Sequence, residues 1–162
     1  MGRAITEDEA VKISLQLKKQ GKKIVLTGGC FDILHLGHIR LLREAGELGD
    51  YLFVLLESDN AIKNIKGHKR PINTQKERAE ILESLEPVDY VVLLKGEKNN
   101  KDYDKLIVLL SPDVIATTSG DKNIHHKKRQ ADLVGAKLIE VIKELKNRST
   151  SRIAKFIAEE NI

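Results

Sequence analysis

Residues 23–50, KIVLTGGCFDILHLGHIRLLREAGELGD, run from a short apolar stretch through a glycine turn into an amphipathic segment. Residues 23–27 are apolar and β-branched, which reads as a buried strand, and they end directly in Gly28 and Gly29. Residues 36–47 read as a helix. Glycines at a strand-to-helix turn let backbone amides approach an anion closely, and the following helix N-terminus adds partial positive charge. A phosphate site is therefore expected at this turn.

Upstream, residues 7–20 set Ala10, Ile13, Leu15 and Leu17 among charges, with Thr6 at the N-cap position and Gly21 as a stop, predicting a helix. Downstream the pattern repeats. It gives a strand over 51–57, a polar loop with Gly67 and Pro71, a helix over 74–85 and a strand over 88–94. A helix near 102–110, a strand over 113–117, a charged helix near 122–134, a strand over 137–142 and a last helix from Ser151 follow. Five apolar strands alternating with helices predict an α/β fold: a single doubly wound, Rossmann-like, five-stranded parallel sheet with helices on both faces, one domain over 1–162. Such sheets bind ligands at the carboxyl ends of their strands, where the strand order reverses.

The chain has 162 residues, 41% of them hydrophobic, enough for one core. Its 28 Lys and Arg exceed its 24 Asp and Glu by only four, spread along the chain, which argues against a dedicated nucleic-acid binder and leaves small anions as ligands. The richest charge run, HHKKRQ at 125–130, reads as a solvated helix face. The single cysteine, Cys30, excludes an intrachain disulfide. The acidic opening MGRAITEDEA lacks a signal-peptide pattern, and no stretch approaches the ~18 apolar residues of a membrane span, so a cytoplasmic protein with no membrane partner is expected.

His35 and His38 are three apart at the start of the helix after the turn, so both imidazoles can reach one ligand, and Gly37 leaves room for it. A metal site with Cys30 as third ligand is disfavoured, because a strand-end cysteine would have to fold back onto the helix.

The stretch 23–50 resembles the nucleotidyltransferases that carry an HxGH motif, the cytidylyltransferase-like family. Within it the stretch is most similar to the adenylyltransferase domain of ADP-heptose synthases, with glycerol-3-phosphate cytidylyltransferases close behind. KGHKRPINTQKERAEILESLEPVDYVV, at 66–92, resembles the family's second block, and Ser149, Thr150 and Ser151 resemble its STT signature. The heptose-linked members carry VKGGDY where this chain has ATTSGDKN at 116–123, so only Gly120 and Asp121 stay in register.

The resemblance implies a cytoplasmic transferase of carbohydrate biosynthesis in which a substrate phosphate attacks the α-phosphorus of a nucleotide and pyrophosphate leaves. A phosphate monoester, with its second pKa near ~6, needs no general base, so positioning and charge stabilisation suffice. His35, His38 and Lys66 are then catalytic. Gly28, Gly29, Cys30, Phe31, Gly120, Asp121, Ser149, Thr150 and Ser151 join them in holding the nucleotide, and Asp32, Arg70 and Arg78 touch the acceptor. Mg²⁺ is expected to travel with the triphosphate, with no metal cage built by the protein. The resemblance favours ATP with a sugar 1-phosphate such as heptose 1-phosphate, with CTP and glycerol 3-phosphate as the alternative. Also open are a non-catalytic nucleotide-binding module, a nucleic-acid role for the basic helix, and assembly as a homodimer.

Overall fold

The computed structural model describes residues 1–96, 98–143 and 149–159. Six parallel strands form one sheet: β1 (Arg3–Thr6), β2 (Ile24–Gly29), β3 (Tyr51–Leu56), β4 (Tyr90–Leu93), β5 (Val114–Thr118) and β6 (Lys137–Ile142), in the order β1-β4-β3-β2-β5-β6. The helices are α1 (Glu7–Lys19), α2 (Leu36–Gly46), α3 (Asp59–Lys66), α4 (Gln75–Glu83), α5 (Asn100–Leu110), α6 (Ile124–Val134) and α7 (Thr150–Glu159). None of the described helices is long and apolar enough to cross a membrane.

The Rossmann-like class stands, but the sheet has six strands among the described residues where five were expected. The extra strand, β1, pairs along the edge with β4 from Arg3↔Tyr90 to Thr6↔Leu93. Four residues are too few for alternation to register, and its last one is also the cap of α1: Glu9 N–H donates to Thr6 Oγ1, and Thr6 N–H donates to the Glu9 carboxylate. The helix α3 replaces part of the polar loop expected between β3 and α4. It is short, buries only Ala61 and Ile62, and is started by Ser58, whose hydroxyl accepts from Ala61 N–H at 3.2 Å.

Two apolar layers sandwich the sheet. Ile24, Leu26 and Phe53 pack with Leu17 of α1, Leu106 and Leu110 of α5, and Ala131 of α6. Val25, Leu52 and Val54 pack on the other face with Leu42 and Ala45 of α2 and Ala79 and Leu82 of α4. Consecutive strand residues thus feed opposite layers, which is why strands buried on both faces read as unbroken apolar runs.

The two ends of the sheet differ. At the amino ends, carboxylates tie down the strands: Asp113 accepts from Ile24 N–H at 2.8 Å, Asp89 from Leu52 N–H at 2.7 Å, and Asp50 from Lys23 N–H at 2.7 Å. At the carboxyl ends the register brings Gly28 opposite Leu55 and Gly29 opposite Leu56. The order reverses at β2, which has β3 on one side and β5 on the other, so a crevice opens between the ends of β2 and β5.

Phe53 is wholly buried in the layer beneath α1 and α5. Phe53→Ala is expected to lower the unfolding free energy by ~3–5 kcal/mol, the cost of a large core truncation, as read from urea denaturation.

Candidate active site

The turn after β2 is shaped by close approach. A Cβ on Gly29 would lie 3.2 Å from the ring of Phe31. Phe31 takes a left-handed backbone conformation, φ 45°, which sends its ring under the turn, 5.1 Å from the His38 imidazole. The chain then enters α2, with His35 as the N-cap residue.

The two histidines cap this helix with their own rings. Gly37 N–H donates to His35 Nδ1 at 3.1 Å, and His35 N–H donates to His38 Nδ1 at 3.4 Å. The rings stack with centroids 3.8 Å apart. An imidazole whose Nδ1 accepts from an amide carries its proton on Nε2, so each ring presents an N–H donor at that atom. Burial, followed by the charges of His35 and Lys66, lowers the His38 pKa to about 4. At neutral pH His38 is a neutral donor rather than a cation.

Beneath the turn, Asp32 accepts from the amides of Ile72 and Asn73, each at 2.9 Å, and from Arg70 Nε at 2.6 Å. Burial pushes the Asp32 carboxyl up, but the Asn73 and Ile72 amides and the Arg70 guanidinium outweigh it and hold it below the usual carboxylate range. Arg78 has no exposed surface; it donates to the carbonyls of Asn73 at 3.0 Å, Cys30 at 2.6 Å and Glu57 at 2.9 Å, and to Asp59 Oδ1 at 2.7 Å. Asp32, Arg70 and Arg78 were expected to touch the acceptor. They line neither cavity at this end of the sheet; Asp32 and Arg78 are turned onto the chain as a brace under the turn, and Arg70 pairs with Asp32 through Nε while its buried Nη2 has no hydrogen-bond partner among the described groups.

Two cavities meet at Gly28 and Gly29. The smaller, about 210 Å³, lies at the order reversal, between Phe31 and His38 on one side and Thr117–Asp121 on the other. The larger, about 630 Å³, lies on the other side of the glycines and is walled by Cys30, Glu57, Lys66, Tyr103 and residues of α6. Of the expected site residues, Gly28, Gly29, Phe31, His38, Gly120 and Asp121 meet at the smaller cavity, and Gly28, Gly29, Cys30, Lys66 and Asp121 at the larger. Burial pushes the Cys30 thiol up against the pull of Lys66, so it stays protonated. His35, Ser149, Thr150 and Ser151 line neither cavity. Thr150 donates instead to the Ile33 carbonyl at 2.8 Å, fastening the start of α7 to the loop before His35.

The charged run of α6 is only in part a solvated face. His125, Lys128 and Arg129 are exposed, but His126, Lys127 and Gln130 face the larger cavity. Lys127 reaches both cavities; its ammonium donates to Asp121 Oδ2 at 2.6 Å and Thr117 Oγ1 at 2.9 Å. Helical spacing carried the signal: 126, 127 and 130 share one face, 125, 128 and 129 turn away from it. Among the described residues no three His, Cys, Asp or Glu groups cluster to hold a metal ion.

The cytidylyltransferase-like family model matches residues 26–156. The chain is 42% identical over 155 residues to the bifunctional protein HldE of Wolinella succinogenes, covering 96% of this chain and 31% of that protein. It is 51% identical over 104 residues to the bifunctional protein HldE of Helicobacter pylori, covering 64% of this chain and 22% of that one. It thus spans about a third or less of these relatives. Among solved structures, a lipopolysaccharide core biosynthesis protein from Thermoplasma volcanium superposes with a TM-score of 0.60 at 28% identity, covering 79% of this chain and 100% of that one. The pantoate–β-alanine ligase of Francisella tularensis superposes at 0.66 and 17% identity, over 100% of this chain and 79% of that one, and shares the fold.

The buried His38 ring makes a pH prediction. Its folded pKa, about 4, lies below the ordinary 6.5, so the unfolded chain takes up this proton first. Stability is therefore full above pH 6.5 and falls through that window towards pH 4, by on the order of 3 kcal/mol when complete. Urea unfolding should show His38→Gln losing less stability than the wild type on acidification; an equal loss in both would contradict a buried neutral ring.

Proposed function

The chain belongs to the cytidylyltransferase-like family of nucleotidyltransferases, and from that premise we propose that it transfers adenylate from ATP to a sugar 1-phosphate of the heptose class, releasing pyrophosphate. The observation that carries the reading is the shared wall: one glycine pair borders two cavities, with His38 on one side and Lys66 on the other. A transfer between two phosphorylated ligands needs both to meet over one anion-binding turn. The similarity to HldE proteins along nearly the whole chain supports ATP and a heptose-type acceptor.

In this reading the nucleotide lies in the smaller cavity, its α-phosphate over the amides of the turn and the N-terminus of α2. The acceptor lies in the larger one, its phosphate drawn to Lys66. An acceptor oxygen attacks the α-phosphorus in line, the bond to the bridging oxygen breaks, and pyrophosphate leaves. The Nε2–H groups of His35 and His38 donate to oxygens of the α-phosphoryl group as charge spreads over them. Fixed by amides at Nδ1, the rings need no reorganisation during the step. The ligand's own negative charge raises the His38 pKa back towards its ordinary value on binding. The ion pair between Lys127 and Asp121 sits where the cavities adjoin, so Lys127 can release Asp121 and turn to a phosphate. Mg²⁺ enters as the nucleotide complex.

His35→Ala and His38→Ala are each expected to lower turnover by at least ~100-fold with the fold intact. Pyrophosphate release from ATP and CTP, each with heptose 1-phosphate and with glycerol 3-phosphate, is the assay. Near-normal rates in both variants would remove the histidines from the mechanism. A kcat/KM for CTP with glycerol 3-phosphate above that for ATP with heptose 1-phosphate would reassign the substrates and keep the reaction class.

A further inference from the structure

The transfer chemistry leaves two groups of the larger cavity without a task. Glu57 follows directly on β3 and Tyr103 lies on α5; both line the cavity, and the Tyr103 hydroxyl donates to Glu57 Oε1. Neither belongs to the motifs that mark the phosphate site.

Glu57 forms no ion pair with a described residue. The two cations whose field it feels are committed elsewhere, Arg78 to Asp59 at 2.7 Å and Lys98 to Glu7 at 3.0 Å. A carboxylate only accepts hydrogen bonds, and one drawn out of water without a cation is costly unless donors reach it. Burial pushes its pKa up, and the Tyr103 hydrogen bond and the charges of Arg78 and Lys98 pull it back only in part. The Oγ1 of Thr27, a residue of the same wall, is buried with no hydrogen-bond partner among the described groups. Glu57 thus lines the cavity with acceptor capacity beyond the one hydrogen bond from Tyr103.

We propose that Glu57 and Tyr103 are the specificity-determining pair of the acceptor site, with the Glu57 carboxylate accepting from hydroxyls on the acceptor's carbon skeleton and Tyr103 fixing the carboxylate in place. This rests on the larger cavity being the acceptor site. Of the lysines that line it, Lys127 is paired with Asp121 and Lys98 with Glu7, so Lys66 is the one that offers its charge to an anion. Tyr103 is the only Phe, Tyr or Trp among its described lining residues, too little for the aromatic cage that a quaternary ammonium prefers. Asn100 adds an amide suited to a further hydroxyl. The acceptor class that fits is a polyhydroxylated sugar phosphate, with its phosphate towards Lys66 and its ring hydroxyls towards Glu57.

The test is calorimetric titration of heptose 1-phosphate, glycerol 3-phosphate and ethanolamine phosphate into the protein saturated with a non-hydrolysable ATP analogue and Mg²⁺. Heptose 1-phosphate should bind the wild type most tightly. Glu57→Gln and Tyr103→Phe should each weaken it by ~10-fold or more, weaken glycerol 3-phosphate far less, and leave nucleotide affinity within about twofold. Retained nucleotide binding also shows that the variants fold. The proposal is overturned if both variants bind heptose 1-phosphate as the wild type does, if ethanolamine phosphate binds the wild type more tightly, or if no acceptor binds. Pyrophosphate release separates the two claims: a wild type that binds the sugar phosphate through Glu57 yet releases no pyrophosphate refutes the proposed reaction and keeps the pair.

Discussion

The ligand end of the sheet depends on one buried guanidinium. Arg78 reaches from α4 to the carbonyl of Cys30 after β2, the carbonyl of Glu57 after β3 and the carbonyl of Asn73 before α4, and it pairs with Asp59 at the start of α3. The Cys30 and Glu57 carbonyls lie where strands have ended, and the Asn73 carbonyl lies just ahead of a helix. A planar fork of five donors can satisfy several at once, which a lysine ammonium does not do with the same fixed geometry. Removing it would leave buried acceptors and an unpaired carboxylate together, the costly direction of breaking a buried ion pair.

Everything that faces the cavities is held from behind by this brace and its neighbour. Asp32 clamps the segment 70–73 through Arg70 and two amides, and Asn73 returns a hydrogen bond to the Asp32 carbonyl at 2.8 Å. Thr150 adds a tether to Ile33. The turn is thereby fixed before any ligand arrives, and its donors need little reorganisation when a phosphate binds. The histidines follow the same logic, since each Nδ1 is engaged by the backbone. Charges are thus divided by layer, with Asp32, Arg70 and Arg78 neutralised inside and Lys66 and Lys127 on the cavity walls.

The glycine turn, its strand and the paired histidines were legible because each is a local feature: an apolar run, residues that permit close approach, and a three-residue helical spacing. The Rossmann-like class followed from the alternation of strands and helices. β1 was not legible, because a four-residue edge strand draws its order from Tyr90–Leu93, far along the chain. The roles of Asp32, Arg70 and Arg78 were hidden for a related reason. A motif shows that a charge is near a phosphate site, but burial decides whether it faces ligand or backbone. Glu57 and Tyr103 are 46 positions apart and meet only when α5 packs beside β3. Lys127 could have been found, since the face of α6 that carries His126 and Gln130 carries it too.

The central claim is that nucleotide phosphates sit on the Gly28–Gly29 turn, with the nucleotide on the β5 side. Backbone amide shift mapping with a non-hydrolysable ATP analogue and Mg²⁺ tests it most directly. The account predicts the largest changes at Gly29–Phe31, Gly37–Ile39 and Thr117–Asp121, with Asn100 and Tyr103 little moved until a sugar phosphate is added. Changes centred on Asn100, Tyr103 and α3 with nucleotide alone, and none at the glycine turn, would contradict it.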